Sequence, residues 1–143
     1  MCVLTALYLL VWLLPAVAAV SVGTSLSDLK VALAAGPQTI TAGKILLGSE
    51  TLVGNGCTID RGGSGILFVR DVSSEGAQVL TLQNMTIKNT NARWASALET
   101  LPTGANTDSS LLPYTCTITD CSFVDNRARE AGVLGFYAEA TVT

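Results

Sequence analysis

"LTLQNMTIKNTNARWASAL" (Leu80–Leu98) and "CTITDCSFVDNRAREAGVL" (Cys116–Leu134) align at an offset of 36 residues. Thr81 then meets Thr117, Leu82 meets Ile118, Met85 meets Cys121 and Ile87 meets Phe123. Farther along, Ala92, Arg93, Ala95 and Leu98 meet the identical Ala128, Arg129, Ala131 and Leu134. An earlier partial copy, "CTID" (Cys57–Asp60), falls in the column of "MTIK" and "CSFV". Self-similarity at a period of about 20–50 residues marks stacked structural units. Within each copy the apolar residues alternate with polar ones, which is the period of a strand with one face buried. Parallel strands about 4.8 Å apart place like side chains over like. Ile59, Ile87 and Phe123 are therefore expected to form one interior ladder, and Cys57, Met85 and Cys121 its neighbour. Cys57 and Cys121 would then lie two rungs apart, roughly 10 Å, too far for a disulfide. Asn84, Asn89, Asp120 and Asp125 are expected at the turns, where their side chains can satisfy local backbone groups.

The pattern extends upstream. From Gln38 the chain is a succession of short apolar-alternating runs, among them "QTITA", "KILLG", "TLVG", "ILFV" and "GVLGF", punctuated by Gly, Asn and Asp. The turns come more often than the 8–12 residues usual in a sandwich, which favours a coiled solenoid. Before them, "TSLSDLKVALAAGP" reads as one helix over about 25–35. Ser25 followed by Asp28 is a capping-box-like start, and Leu26, Leu29 and Leu33 make an apolar stripe. Gly36-Pro37 is a helix stop. Expected organisation is thus a leader over 1–18, an N-terminal cap over 19–37, and coils over 38–143 with a polar loop at 99–115.

"MCVLTALYLLVWLLPAVAA" has no charge before Asp28. Val3–Leu14 has the length of a signal h-region, and Ala16-Val17-Ala18 offers small residues for cleavage. The reading is a cleaved secretory signal, with a retained membrane anchor as the competing one, since the run approaches the roughly 20 apolar residues that span a bilayer. Export permits disulfides. Yet three cysteines remain after the leader, an odd number without metal-site spacing, and buried free thiols are expected.

One modest domain is all that 143 residues allow. The net charge of −3 and the scattered Lys and Arg argue against a nucleic-acid surface. The chain has no histidine, so Ser-His-Asp and Cys-His nucleophiles and histidine-held metals are excluded within it.

"LVGNGCTIDRGGSG" resembles the first coils of right-handed parallel β-helix proteins of the pectin-lyase-like superfamily, in which an amphipathic helix such as "SLSDLKVALAAG" commonly precedes the first coil. "FVDNRAREAGVL" is similar to the repeat of polymorphic outer-membrane proteins, FxxN followed by GGA and an aliphatic residue. Phe123–Asn126 matches the first half, and Ala131–Leu134 is a degenerate second half. The resemblance implies an all-β fold, a right-handed parallel β-helix of few coils with a short capping α-helix. It implies a non-catalytic secreted, cell-surface or outer-membrane module with a structural or adhesive role and a polysaccharide or cell-surface partner.

The alternative is the amino-terminal part of a pectin-lyase-like carbohydrate-active enzyme, a polysaccharide lyase or glycoside hydrolase, whose active site is not in this chain. Paired carboxylates for hydrolysis should lie a few ångströms apart, and Asp120 and Asp125 sit at opposite ends of one strand-like run. A calcium lyase site cast from Asp60, Asp120 and Asp125 with Arg127 or Arg129 would need six or more converging oxygens, where each coil offers isolated acids. No catalytic, cofactor or metal residues are therefore assigned. Asn84-Met85-Thr86 is a glycosylation sequon, and Trp94 is a candidate for stacking on a sugar. Arg93 and Arg129 are read as stacked turn residues. Because "FYAEATVT" ends in a strand-like pattern, the chain is expected either to be part of a longer coil or to associate end to end through its last coil.

Overall fold

The computed structural model describes residues 19–70, 77–100, 114–130, 132–135 and 140–142. The leader and most of the 99–115 loop lie outside the described residues. The described residues are mostly β, built of parallel sheets with one short helix. The helix, α1 (Leu26–Ala34), starts where its sequence says it should: the Asp28 N–H donates to Ser25 Oγ at 3.2 Å. Leu29, Ala32 and Leu33 turn inward and are buried. At the other end, the carbonyls that the cap N–H groups of Ala35 and Gly36 reach, and that of Gly36 itself, also accept from later residues. Gln38 Nε2 donates to Ala32 O (2.5 Å), Asn55 Nδ2 to Leu33 O (3.0 Å) and Cys57 Sγ to Gly36 O (2.9 Å). The helix is thereby fastened across the start of the strands.

The largest sheet contains β1 (Val20–Gly23), β2 (Thr39–Ala42), β4 (Glu50–Asp60), β6 (Gln78–Lys88), β9 (Tyr114–Thr119) and β13 (Ala140–Val142), in that order, with β10 (Ser122–Val124) beside β6. A second sheet runs β3 (Ile45–Leu47), β5 (Phe68–Arg70), β8 (Ala95–Glu99), β12 (Gly132–Gly135), and a third pairs β7 (Asn91–Ala92) with β11 (Arg127–Ala128). Strand β1 falls in the segment expected to hold only the helical cap. The chain alternates between the sheets, and each return adds the next parallel neighbour.

Register follows the sequence alignment. Thr81, Leu82 and Ile87 lie beside Thr117, Ile118 and Phe123, and Leu98 lies beside Leu134. The interior is made of these columns. Ile40, Ile59, Ile87 and Phe123 are successive neighbours in one. Ile45, Phe68, Leu98 and Leu134 form another. Ile40, Ile59, Ile87, Ile45, Phe68 and Leu98 are fully buried. At about 1.5–3 kcal/mol for each large apolar side chain removed from water, these columns supply much of the driving force for folding.

Bends between the walls need left-handed backbone. Asn84, Asn89, Asp120 and Asp125 occupy it with φ of 53°, 56°, 53° and 52°, and Asn and Asp adopt that region at the least cost among non-glycine residues. In β4 the equivalent bend is longer: Val53 pairs with Gln83 and Cys57 with Met85, so Gly54, Asn55 and Gly56 together face Asn84. A Cβ on Gly54 would overlap the Met85 side chain and the Asn84 carbonyl, so this close approach admits only glycine.

Candidate functional site

Three turn segments leave the large sheet side by side. The first follows β4 and includes "RGGSG" (Arg61–Gly65); the second, Asn89–Trp94, follows β6; the third, Asp125–Glu130, follows β10. Backbone bonds fix their order: Gly63 N–H to Asn89 O (2.7 Å), Asn91 N–H to Gly65 O (3.0 Å), Arg127 N–H to Thr90 O (2.9 Å) and Arg129 N–H to Arg93 O (3.1 Å). The second and third are also joined by side chains. Asn126 Oδ1 accepts from the Thr90 N–H (3.0 Å) and Thr90 Oγ1 (2.7 Å), while its Nδ2 donates to Ile87 O (2.9 Å). The FxxN stretch thus has a physical content here. Phe123 packs against the core, and Asn126 fastens its own turn to the preceding one.

Between these segments lies a cleft of about 280 Å³, lined by Gly63, Ser64, Gly65, Asn91, Ala92, Arg93 and Arg129. It exists because the first segment presents almost no side chains. Gly63 and Gly65 have φ of 78° and 69°; a Cβ built on Gly63 would meet nothing within 4 Å, whereas one on Gly65 would come within 3.2 Å of the Arg61 guanidinium. The second segment is two residues longer between paired strand positions (Lys88 to Leu98 against Asp60 to Phe68) and raises a wall beside this floor. Arg93 on that wall is held in place: its Nε donates to Glu130 Oε1 at 2.6 Å, and its guanidinium carbon lies 5.0 Å from the Trp94 ring centre. A second recess, sharing Gly63 and Asn91, is lined also by Asn89, Thr90, Asp125 and Arg127.

The residues singled out in the sequence fall in different places. Trp94 is half-buried and adjoins the cleft, but Arg93 covers one face of its ring, leaving less of it for a sugar. Asn84 is exposed at its bend and lines neither recess, which leaves the sequon accessible. Asp60, Asp120 and Asp125 are not brought together, and among the described residues no group of three or more His, Cys, Asp or Glu is placed to hold a metal ion. Asp125 and Arg127 share the second recess, while Asp120 stands at the bend after β9. Cys57 and Cys116 are buried and Cys121 is half-buried, all as free thiols; burial pushes the Cys116 thiol up to about 11, so it is inert as a nucleophile near neutral pH. Glu99 is also buried, and burial raises its carboxyl against a partial opposing pull from Lys44.

Asp60 serves the turn itself. Its Oδ1 accepts from the Gly62 N–H and Asn89 Nδ2, both at 2.9 Å, and its Oδ2 lies 3.3 Å from Lys88 Nζ. Burial opposes the ionised form, but the hydrogen bonds from Asn89 and Gly62 and the charge of Lys88 outweigh it, holding the carboxyl below its ordinary value. A carboxylate with a lowered folded-state pKa contributes stability that is present above its unfolded value and lost as pH falls through the folded one. Asp60→Asn is therefore expected to lower the urea midpoint near neutral pH and to make its decline in acid shallower. Parallel urea titrations of both proteins across the acid range check this; coincident curves would remove Asp60 from the turn's energetics.

Gly63, Ser64 and Gly65 carry no signal in the sequence that ties them to a site, because "RGGSG" is far from Arg93 and Arg129 along the chain and comes beside them only in the fold. Comparison with protein-family models, with curated proteins and with solved structures finds no match to this chain.

Proposed function

We propose that this chain is a right-handed parallel β-helix module, exported through its N-terminal leader, with a structural or adhesive role at the cell surface. The observation that carries the reading is the register. Successive parallel neighbours keep Ile over Ile and Thr over Thr, so the outer walls carry columns such as Thr51, Thr81 and Thr117 at one strand spacing. A rigid wall with a repeating side-chain pattern suits contact with an extended partner, such as a surface polysaccharide, better than conversion of a small substrate. Ile118, Phe123, Val133 and Leu134 pack only partly into the core at the side where β10–β13 each have a single strand neighbour among those described. Self-association through that side belongs to the same proposal.

The test is to locate the protein in its own cells and measure what it holds. Surface biotinylation with intact-mass analysis should find it outside the membrane without residues 1–18, and immobilised protein should retain polysaccharide from the same cells' surface. Sedimentation should show association that grows with concentration. Recovery from the cytosol with the leader attached would overturn export. Normal adhesion of cells lacking the protein, together with no retained polysaccharide, would overturn the adhesive role.

A further inference from the structure

The arginine column on the turn face carries more positive charge than its surroundings answer. Arg93 and Arg129 occupy neighbouring turns, joined by the Arg129 N–H to Arg93 O bond, and both line the cleft floored by Gly63 and Gly65. Like charges on adjacent parallel segments repel unless something lies between them. Glu130 answers Arg93 through Nε, but no carboxylate lines this cleft and Arg129 forms no ion pair among the described residues. Arg127 also forms no ion pair among the described residues, but it shares the recess next door with Asp125, so the unanswered charge is that of Arg129.

We infer that the cleft between the Gly63–Gly65 turn and the Arg93/Arg129 column is a binding site for a tetrahedral oxyanion, a sulfate or phosphate group. The chemistry follows from the parts. Two guanidinium groups offer N–H donors matched to oxyanion edges, Arg93 through its Nη groups because Glu130 takes Nε, and an anion in the cleft would supply Arg129 with the countercharge it otherwise lacks. Trp94 and Glu130 hold Arg93 before any ligand arrives, which lowers the ordering cost of binding. Ser64 and Asn91 add uncharged hydrogen-bonding side chains at the rim. The bare glycine floor leaves the volume such a group needs, with room beyond it for whatever molecule carries the group. The site does not depend on export or adhesion, so either conclusion can fail while the other stands.

The experiment follows the arginine Nε–H and glycine amide resonances of the full protein while inorganic sulfate, inorganic phosphate or glucose 6-sulfate is added at constant ionic strength. Sodium chloride and glucose serve as controls. Saturable shifts of the Arg93, Arg129, Gly63 and Gly65 signals are expected with the oxyanions and not with the controls. Tighter binding of glucose 6-sulfate than of inorganic sulfate would identify an ester group as the preferred source, and the reverse order a free ion. Arg129→Gln should weaken binding about tenfold or more and Arg129→Lys by less, since lysine keeps the charge but not the paired donors. Lys44→Gln should leave binding unchanged. Arg129 is exposed, and an unchanged far-UV spectrum would show that its variants are folded. Shifts that chloride reproduces, or an Arg129→Gln protein that binds as tightly as the parent, would overturn the site.

Discussion

Ile87→Ala should remove about 2–5 kcal/mol of folding stability, as truncation of a fully buried aliphatic residue does when its surroundings cannot close over the gap. Ile87 is the third member of the Ile40–Ile59–Ile87–Phe123 column, completely buried between Ile59 and Phe123. The backbone at each rung is held by hydrogen bonds to the strands on both sides, so the rungs cannot move together to fill the space. Against a total of about 5–15 kcal/mol for an ordinary domain, the loss is enough to leave a sizeable unfolded fraction. Ile87→Val, which removes one methylene, should cost about 0.5–1.5 kcal/mol. Urea denaturation of the three proteins measures both. An alanine variant with the parent's midpoint would mean that Ile87 is not enclosed by its column.

Asn126→Ala should cost about 2–3 kcal/mol, for a different reason. Its side chain makes three hydrogen bonds, to the Thr90 N–H, to Thr90 Oγ1 and to Ile87 O. Each such bond contributes about 1 kcal/mol net, and groups left buried without a partner cost more than the bond was worth. Thr90 is 1 % exposed, so water cannot readily replace what alanine takes away. Asn126→Asp separates the parts: it keeps the acceptor for Thr90 and loses the donor to Ile87 O. It should fall between the parent and the alanine variant near neutral pH. Hydrogen exchange at the Thr90 amide reports the same event locally, and should quicken in Asn126→Ala more than at Leu82, which lies within β6 away from this turn. Equal stability of Asn126→Ala and the parent would show that the two turns are joined by backbone bonds alone.

The two substitutions also divide what was readable in advance. Ile87 and its partners were legible because burial alternates with a period of two and the same alternation returns 36 residues later. The pairs that this offset aligns, Leu82 with Ile118 and Ile87 with Phe123, are neighbours in the parallel ladders. Helix α1 was equally legible, since Ser25, Asp28 and the leucine stripe act within a few residues of one another. The left-handed bends at Asn84, Asn89, Asp120 and Asp125 were marked by residue types that tolerate positive φ.

Tertiary structure alone decided the rest. Strand β1 was not legible beside the helix because Val20-Ser21-Val22-Gly23 is too short for its alternation to stand out from the apolar run before it, and its place is set by pairing with β2. The two-residue strands β7 and β11 are too short to carry a period. The depth of the arginine-lined cleft depends on one turn being two residues longer than the turn beside it, a comparison between segments that touch only in the folded chain. Likewise Glu130 was one more charged turn residue until the register set it against Arg93. The sequence by itself determined which residues face inward and which can bend, because those preferences are local and repeat along the chain. The folded structure determined which turns stand side by side, and therefore where charge is left unanswered, because that depends on the sum of all the loop lengths between them.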